Sequence, residues 1–381
     1  MRLAKRIGLL TGEGALEVYA RAKELERAGR PVIHLELGEP DFHPATEVLA
    51  AGQRAIAQGR DRYCASRGLP ELRTAIAGYL GQTRGVACGA ENVLVASGCK
   101  LALFLAMMAL IEPGDEVLYP EPSFPIYPSV ARCFGAHPVA YRLLEANGFQ
   151  PDIEEVARLA TPRTKVLILC SPNNPTGTVY SPAALAGLAQ LARERDWWVI
   201  SDEIYARIVY EKSFASIATV EGMGERTIII DGFSKSFAMT GWRLGYAVAP
   251  LEIIEALDRL VMNTFTCASE FVQVAAIEAI ARPEAVTAMV AEYRRRRDVF
   301  AGGLDQIRGI ACRRPEGAFY AWARVANAKA VQGRLLEEAG VAAIHGRAFG
   351  PSGEDYLRFS FAGASGELEE ALRRIRCTMN V

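Results

Sequence analysis

Between residues 45 and 270, short and nearly continuous runs of Val, Ile and Leu alternate with longer stretches of helical character. "NVLVASG" (92–98), "DEVLYPEP", "TKVLILC", "WWVIS" and "RTIIIDG" read as strands, while "CKLALFLAMMALI" and "PAALAGLAQLARERD" read as helices between them. A strand that is apolar on both sides must be covered on both sides, so this alternation predicts an α/β fold: a mostly parallel sheet with helices on both faces. Such sheets bind ligands beyond the carboxyl ends of their strands. From about residue 280 the pattern changes to a long helix ("PEAVTAMVAEYRRRRDVFAGGL"), short strands such as "GAFYAWAR" and "YLRFSFA", and a final helix. Three regions are expected: 1–44, an N-terminal arm and a segment joining the small domain; 45–275, a large domain; and 276–381, a smaller α+β domain. Within the first, residues 14–29 read as an amphipathic helix, and "PVIHLELGEPDF" as a strand that breaks at Gly38.

Composition narrows the function class. The formal net charge is −1 over 381 residues, with no long basic or acidic block, which argues against nucleic acid or an anionic membrane as partner. The densest charge run, Arg294–Arg297, reads as a solvated helical face. Eight cysteines without a CxxC pair, and four histidines (His34, His43, His137 and His345) without metal-ligand spacing, point to reduced thiols in a cytoplasmic protein and to no metal. The apolar stretch Ile7–Leu10 is too short for a signal-peptide core, and no run of 18 apolar residues exists.

The polar residues of interest fall at strand ends. Ser97-Gly98-Cys99 follows one strand, Ser171–Gly177 ("SPNNPTG") another, Asp202, Glu203 and Tyr205 a third, and Ser234-Lys235 a fourth. Four consecutive parallel-type strands thus deliver polar groups to what should be one rim. Lys235 stands in an apolar, aromatic stretch, "DGFSKSFAMTGWRLGY", and lysines are rarely buried without a partner. A desolvated amine has a lowered pKa and attacks carbonyls, so an aldehyde bound as a Schiff base is a fitting partner. Pyridoxal 5′-phosphate (PLP) needs four more things: a carboxylate for its ring nitrogen, donors for its ring oxygen, an anion site and a flat apolar neighbour. Asp202 offers the carboxylate. Tyr205 and Asn174 can address the ring oxygen. Gly98, Cys99 and Lys100 open a helix whose free N–H groups favour a phosphate, Arg243 adds a fixed cation, and Phe124 can stack.

At this point the sequence resembles a known family, the class I/II (fold-type I) PLP-dependent aminotransferases, especially the bacterial aspartate aminotransferase-like subgroup. The matching segments are "LELGEPDF", "YCASRGLPELR", "SPNNPTG", "SDEIY", "SKSFAMTGWRLGY", "GAFY" and "YLRFSFA", in family order from residue 35 to 362. The resemblance implies that Lys235 bonds PLP and then serves as general base. Asp202 pairs with the ring nitrogen, and Tyr205 and Asn174 hold the ring oxygen. Arg243 and the Gly98–Lys100 amides hold the phosphate. It further implies that Tyr63 reaches the cofactor of a partner subunit in a homodimer, that Arg358 clamps the substrate carboxylate, and that the Gly38 backbone closes over it. Substrates would be an L-amino acid, with an aspartate-like donor among the candidates, and a 2-oxo acid such as 2-oxoglutarate, exchanged by ping-pong kinetics. A PLP-dependent carbon–sulfur β-lyase shares the fold, Lys235 and Asp202, though "SPNNPTG" fits aminotransferases better. A non-catalytic PLP-binding regulator is disfavoured, because the residues ahead of "LELGEPDF" show no helix-turn-helix pattern. Three departures stand out: Gly232 where many relatives carry Ser or Thr, Phe124 where Trp or Tyr is common, and Lys100 where Gln or Thr is common. Lys100 either pairs with a distal substrate carboxylate, or points to solvent or only balances the phosphate.

Overall fold

The computed structural model describes residues 3–12 and 14–379. Met1, Arg2, Glu13, Asn380 and Val381 lie outside the described residues, so the N-terminal region expected from residue 1 is described from Leu3. After the helix Gly14–Arg27, a two-residue strand β1 (Ile33–His34) pairs in parallel with a strand near the other end of the chain. The seven strands β2 (Val93–Ala96), β3 (Glu116–Glu121), β4 (His137–Arg142), β5 (Thr164–Cys170), β6 (Trp198–Asp202), β7 (Thr227–Gly232) and β8 (Gly245–Val248) form one sheet in the order β2-β8-β7-β6-β5-β3-β4. Downstream, β9 (Ile310–Cys312), β10 (Tyr320–Val325), β11 (Val341–Ala342), β12 (Ile344–His345) and β13 (Tyr356–Ser360) follow. Strand β11 is the partner of β1, and the other four make an antiparallel sheet, β12-β13-β10-β9.

The fold is the expected mostly parallel sheet covered by helices, and the apolar runs explain it. Strands β2, β3, β6, β7 and β8 are almost wholly buried. The helix Cys99–Leu110 is apolar nearly all round because it lies inside, packed with Val117, Ile168, Ile228 and the helix Leu251–Met262. Strand β4 escaped the sequence reading for a physical reason. It is the sheet edge and half-exposed, and it carries Pro138, a residue strands tolerate at edges.

Three expectations need correction. The rim strands β5, β6 and β7 are adjacent, but β8 lies between β7 and β2 and runs antiparallel to both. "GYAV" is as short as β2 but opens on glycine and lacks the continuous Val/Leu run that makes β2 legible. Strands β2 and β7 still point the same way, so their ends reach the same rim. The segment "PVIHLELGEPDF" is a strand only at Ile33–His34. Finally, Arg294–Arg297 is not a solvated face throughout. In the helix Pro283–Asp305 the positions 293, 296, 297 and 300 share one stripe, and all four are buried. Arg297, fully buried, forks onto Glu211 with both contacts at 2.6 Å, while Arg296 bonds Asp41 at 2.7 Å and the Ala362 carbonyl at 2.8 Å.

Candidate active site

At the carboxyl ends of β2, β5, β6 and β7 lies a cavity of about 320 Å³. Gly38, Cys99, Lys100, Phe124, Asn174, Asp202, Tyr205, Ser234, Lys235, Arg243 and Arg358 all line it. Of the candidates named from sequence, Gly98 sits immediately behind it as the residue that opens the helix Cys99–Leu110. Only Tyr63 stands apart. It is 86% exposed and takes no part in lining the cavity of its own chain.

Lys235 is placed by the turn that follows β7. Its Nζ donates to the Gly38 carbonyl at 2.5 Å, and burial lowers its pKa to about 8. Such an amine is still mostly protonated near physiological pH, but its neutral, nucleophilic share is far larger than that of an ordinary lysine. Asp202 ends β6 with its side chain in the cavity. Burial pushes its carboxyl up to about 6, against the pull of the Tyr127 hydroxyl, which donates to Oδ2 at 2.6 Å. The Ile204 N–H donates to Oδ1 at 3.3 Å. Glu203, the next residue, faces the reverse side of the sheet and takes no part in the cavity.

The "SPNNPTG" loop divides its work between two asparagines. Asn173 closes the loop, its Oδ1 accepting from the Thr176 N–H at 3.1 Å and hydroxyl at 2.9 Å. Asn174 faces the cavity and accepts from Arg358 Nη1 at 3.0 Å. Arg358, on β13, also donates to the Glu36 carbonyl, and its guanidinium lies over the rings of Tyr320 at 4.4 Å and Phe349 at 4.8 Å. Buried and stacked in this way, it presents a held cation of the kind that grips carboxylates in two-pronged fashion.

The opposite end of the cavity suits an anion. Gly98 has φ 99°, and a Cβ there would lie 2.6 Å from Arg243 Nη2, so only glycine lets the arginine approach the helix start. Arg243 is itself left-handed, at φ 53°, and its Nη1 bonds the Thr240 carbonyl at 3.0 Å. The Gly98 N–H already donates to the Ala96 carbonyl at 2.7 Å. The Gly98 amide is therefore engaged within the chain, where all three amides of Gly98–Lys100 were expected to face an anion. Gly232 abuts Cys99: a Cβ there would stand 2.6 Å from Cys99 Sγ and from the Gly245 Cα. The hydroxyl missing from this position has no room.

The sequence profile described as aminotransferase class I and II matches residues 30–375. The chain belongs to the class I and II aminotransferases. It is 39% identical over 379 residues to the aspartate/prephenate aminotransferase of Thermus thermophilus, covering 98% of this chain and 97% of that one. Among solved structures, the Thermus thermophilus aspartate aminotransferase with maleate superposes with a TM-score of 0.93 at 38% identity, over 99% of this chain and 100% of that one. The alanine aminotransferase of Pyrococcus furiosus superposes with a TM-score of 0.94 at 35% identity, over the whole of both chains.

Members of this family work with PLP, and the donor set of this aminotransferase suits it. A buried amine, a buried carboxylate and an arginine-flanked helix start face one cavity, and the glycine at that start leaves room where any Cβ would intrude. Two site groups were not legible in sequence. Tyr127, in "FPIYPSV", reveals itself only through its bond to Asp202. Tyr320 belongs to "GAFY", a segment that carries the family resemblance but implies no role for the tyrosine. Its hydroxyl is 2.7 Å from that of Tyr205, its ring carries Arg358, and a Cβ on Gly38 would fall 1.9 Å from its oxygen. This pairing of Gly38 with a bulky aromatic leaves no signal in the spacing of a single chain. Among the described residues no helix is long and apolar enough to cross a membrane, and no cluster of ligands for a metal occurs.

Proposed function

We propose that this aminotransferase holds PLP on Lys235 and moves an amino group from an aspartate-like L-amino acid to a 2-oxo acid such as 2-oxoglutarate. The observation that carries the reading is one cavity lined by the Lys235 amine, the Asp202 carboxylate and the Arg358 guanidinium. When bound, PLP supplies an electron sink for the charge left at the substrate α-carbon. Asp202 keeps a negative charge opposite the ring nitrogen, with Tyr127 orienting its Oδ2. Tyr205 and Asn174 address the ring oxygen, and Phe124 covers the ring. Arg243 with the Cys99 and Lys100 amides, beside Ser234, receives the phosphate.

Arg358 binds the substrate α-carboxylate and so fixes the α-hydrogen toward Lys235. The neutral form of the Lys235 amine, made more accessible by a pKa lowered to about 8, would take that proton from the α-carbon and deliver it on the cofactor side of the substrate nitrogen, two bonds away. Gly38 gives the carbonyl that holds the amine, and the side-chain-free backbone there lets Tyr320 close against it. Lys100 lines the same cavity, its Nζ 5.6 Å from the centre of the Phe124 ring. A substrate with a second carboxylate can reach this ammonium. The maleate of the Thermus thermophilus structure, a dicarboxylate, supports that class of substrate.

The exposed Tyr63 fits the reading that it serves a partner subunit's cofactor in a homodimer. Eight free thiols support a reducing, cytoplasmic location. The division into residues 1–44, 45–275 and 276–381 is supported by strand pairing: the large sheet falls within 93–248, and β1 pairs with β11.

The test is an absorption spectrum of the PLP-loaded protein with a panel of amino acids. A band that shifts with aspartate and returns with 2-oxoglutarate supports the reading. A band that does not cycle, with pyruvate and ammonia released from cystathionine, would replace it with a lyase.

A further inference from the structure

The reverse side of the large sheet carries a buried ion cluster directly behind the cavity. Strands β6 and β7 are parallel neighbours with Asp202 opposite Ile230, and the Glu203 N–H donates to the Ile230 carbonyl at 2.9 Å. The residues that follow, Glu203 just past the end of β6 and Asp231 within β7, therefore come side by side. Successive side chains of a strand point to opposite faces, so both carboxylates project away from the cavity that Asp202 enters. Two neighbouring carboxylates shut off from water repel each other.

Arg84 separates them. It ends the helix Pro70–Arg84, and its side chain is buried. Its Nη1 donates to Glu203 Oε2 at 2.7 Å and its Nη2 to Asp231 Oδ2. The remaining oxygens are also engaged. Ser201 and Ser216 donate to Glu203 Oε1 at 3.0 and 2.6 Å. Tyr246 donates to Asp231 Oδ2 at 2.8 Å, and the Gly232 N–H to Asp231 Oδ1 at 2.6 Å. Glu203 follows Asp202 directly, while Asp231 precedes Gly232 and lies one short turn before Lys235.

We propose that Arg84 is a positioning residue of the cofactor site: by clamping Glu203 to Asp231 from behind the sheet, it sets the spacing of the two strand ends that carry Asp202 and Lys235. This rests on the reading that Lys235 and Asp202 hold PLP. Buried ion pairs add little net stability, because desolvation offsets their attraction. What this one supplies is geometry at the point where the two ends leave the sheet.

Two variants test it without changing the net charge behind the sheet: Arg84→Lys, and the double variant Arg84→Gln with Asp231→Asn. Arg297→Lys, which disturbs an equally buried arginine elsewhere, paired there with the more exposed Glu211, is the control at matched loss of Tm. Two quantities are read. One is the Kd for PLP by absorbance titration. The other is the pH midpoint for acetic anhydride labelling of Lys235 in the PLP-free protein, followed by mass spectrometry. The charged and titratable groups facing Lys235, namely Cys99, Glu39, Asp202, Arg243 and Arg358, are unaltered in all three variants.

Both Arg84 variants are expected to weaken PLP binding roughly tenfold or more. Both should also raise the labelling midpoint as water enters a loosened pocket, while the Arg297 control leaves both readouts at parental values. Parental Kd and midpoint in a folded Arg84 variant, or equal changes in the control, would overturn the proposal. Should Arg84→Lys fail to fold, the double variant decides. Failure of the PLP reading shows itself separately, as a parent protein that binds no PLP, whereas the labelling midpoint needs no cofactor.

Discussion

The Tyr127 hydroxyl donates to Asp202 Oδ2 across 2.6 Å, with both side chains buried. Burial alone disfavours the charged carboxylate, and this bond works in the opposite direction. Tyr127→Phe removes the hydroxyl and keeps the ring. A hydrogen bond to a charged group contributes about 1.5–3 kcal/mol, so PLP affinity is expected to fall roughly tenfold to hundredfold with little change in secondary structure. Titration of the apo-protein with PLP, followed by absorbance, measures this.

Asp202 itself is expected to be a stability liability. Its carboxyl is pushed up to about 6 from an ordinary 3.8, chiefly by burial. The folded protein therefore holds this proton more tightly than the unfolded chain. The ionised group costs stability that is absent below pH 3.8, grows as the pH rises, and is fully present above about pH 6. Asp202→Asn should make the PLP-free protein more stable above pH 6, by on the order of 3 kcal/mol at most, and leave it unchanged near pH 3.5. Denaturant melts of the two apo-proteins across this range check both the sign and the window. The same variant should lose nearly all transamination.

Gly98→Ala should damage the anion end selectively. At φ 99° and ψ 154° the backbone lies where other residues cost about 1–3 kcal/mol, and the new methyl would displace Arg243. PLP affinity is expected to fall at least roughly tenfold, whereas pyridoxal, which lacks the phosphate, should bind as weakly to the variant as to the parent. Parallel titrations with the two aldehydes separate these outcomes.

Lys100→Glu tests substrate choice. The ammonium lines the cavity near Phe124, and reversing its charge should raise KM for aspartate by roughly tenfold or more while leaving that for alanine within about twofold. An equal rise for both amino acids would show that Lys100 serves the cofactor and not the side chain of the substrate.

The candidate site residues were legible because strand ends concentrate them. Lys235, Asp202 and Asn174 each follow an apolar run, and long runs such as "TIIID" and "VLILC" are unmistakable. Arg358 and Gly38 were legible only through family resemblance, since nothing in their spacing ties residue 38 to residue 358. Tyr127 and Tyr320 were missed because their roles lie in side-chain contacts between distant segments. Arg296 and Arg297 were misread because charge outweighed helical periodicity in the reading. In the fold the buried stripe dominates, and Asp41, Glu211 and Glu292 compensate the charges. Tyr63 marks the limit of one chain: the role proposed for its exposed side chain requires a second copy.

Borohydride reduction of the PLP-loaded protein, followed by peptide mass mapping, tests the central claim most directly. The expected result is a single phosphopyridoxyl group on the peptide that carries Lys235, and none in Lys235→Ala. A modified Lys100 instead, or unmodified peptides throughout from protein that had bound PLP, would contradict it.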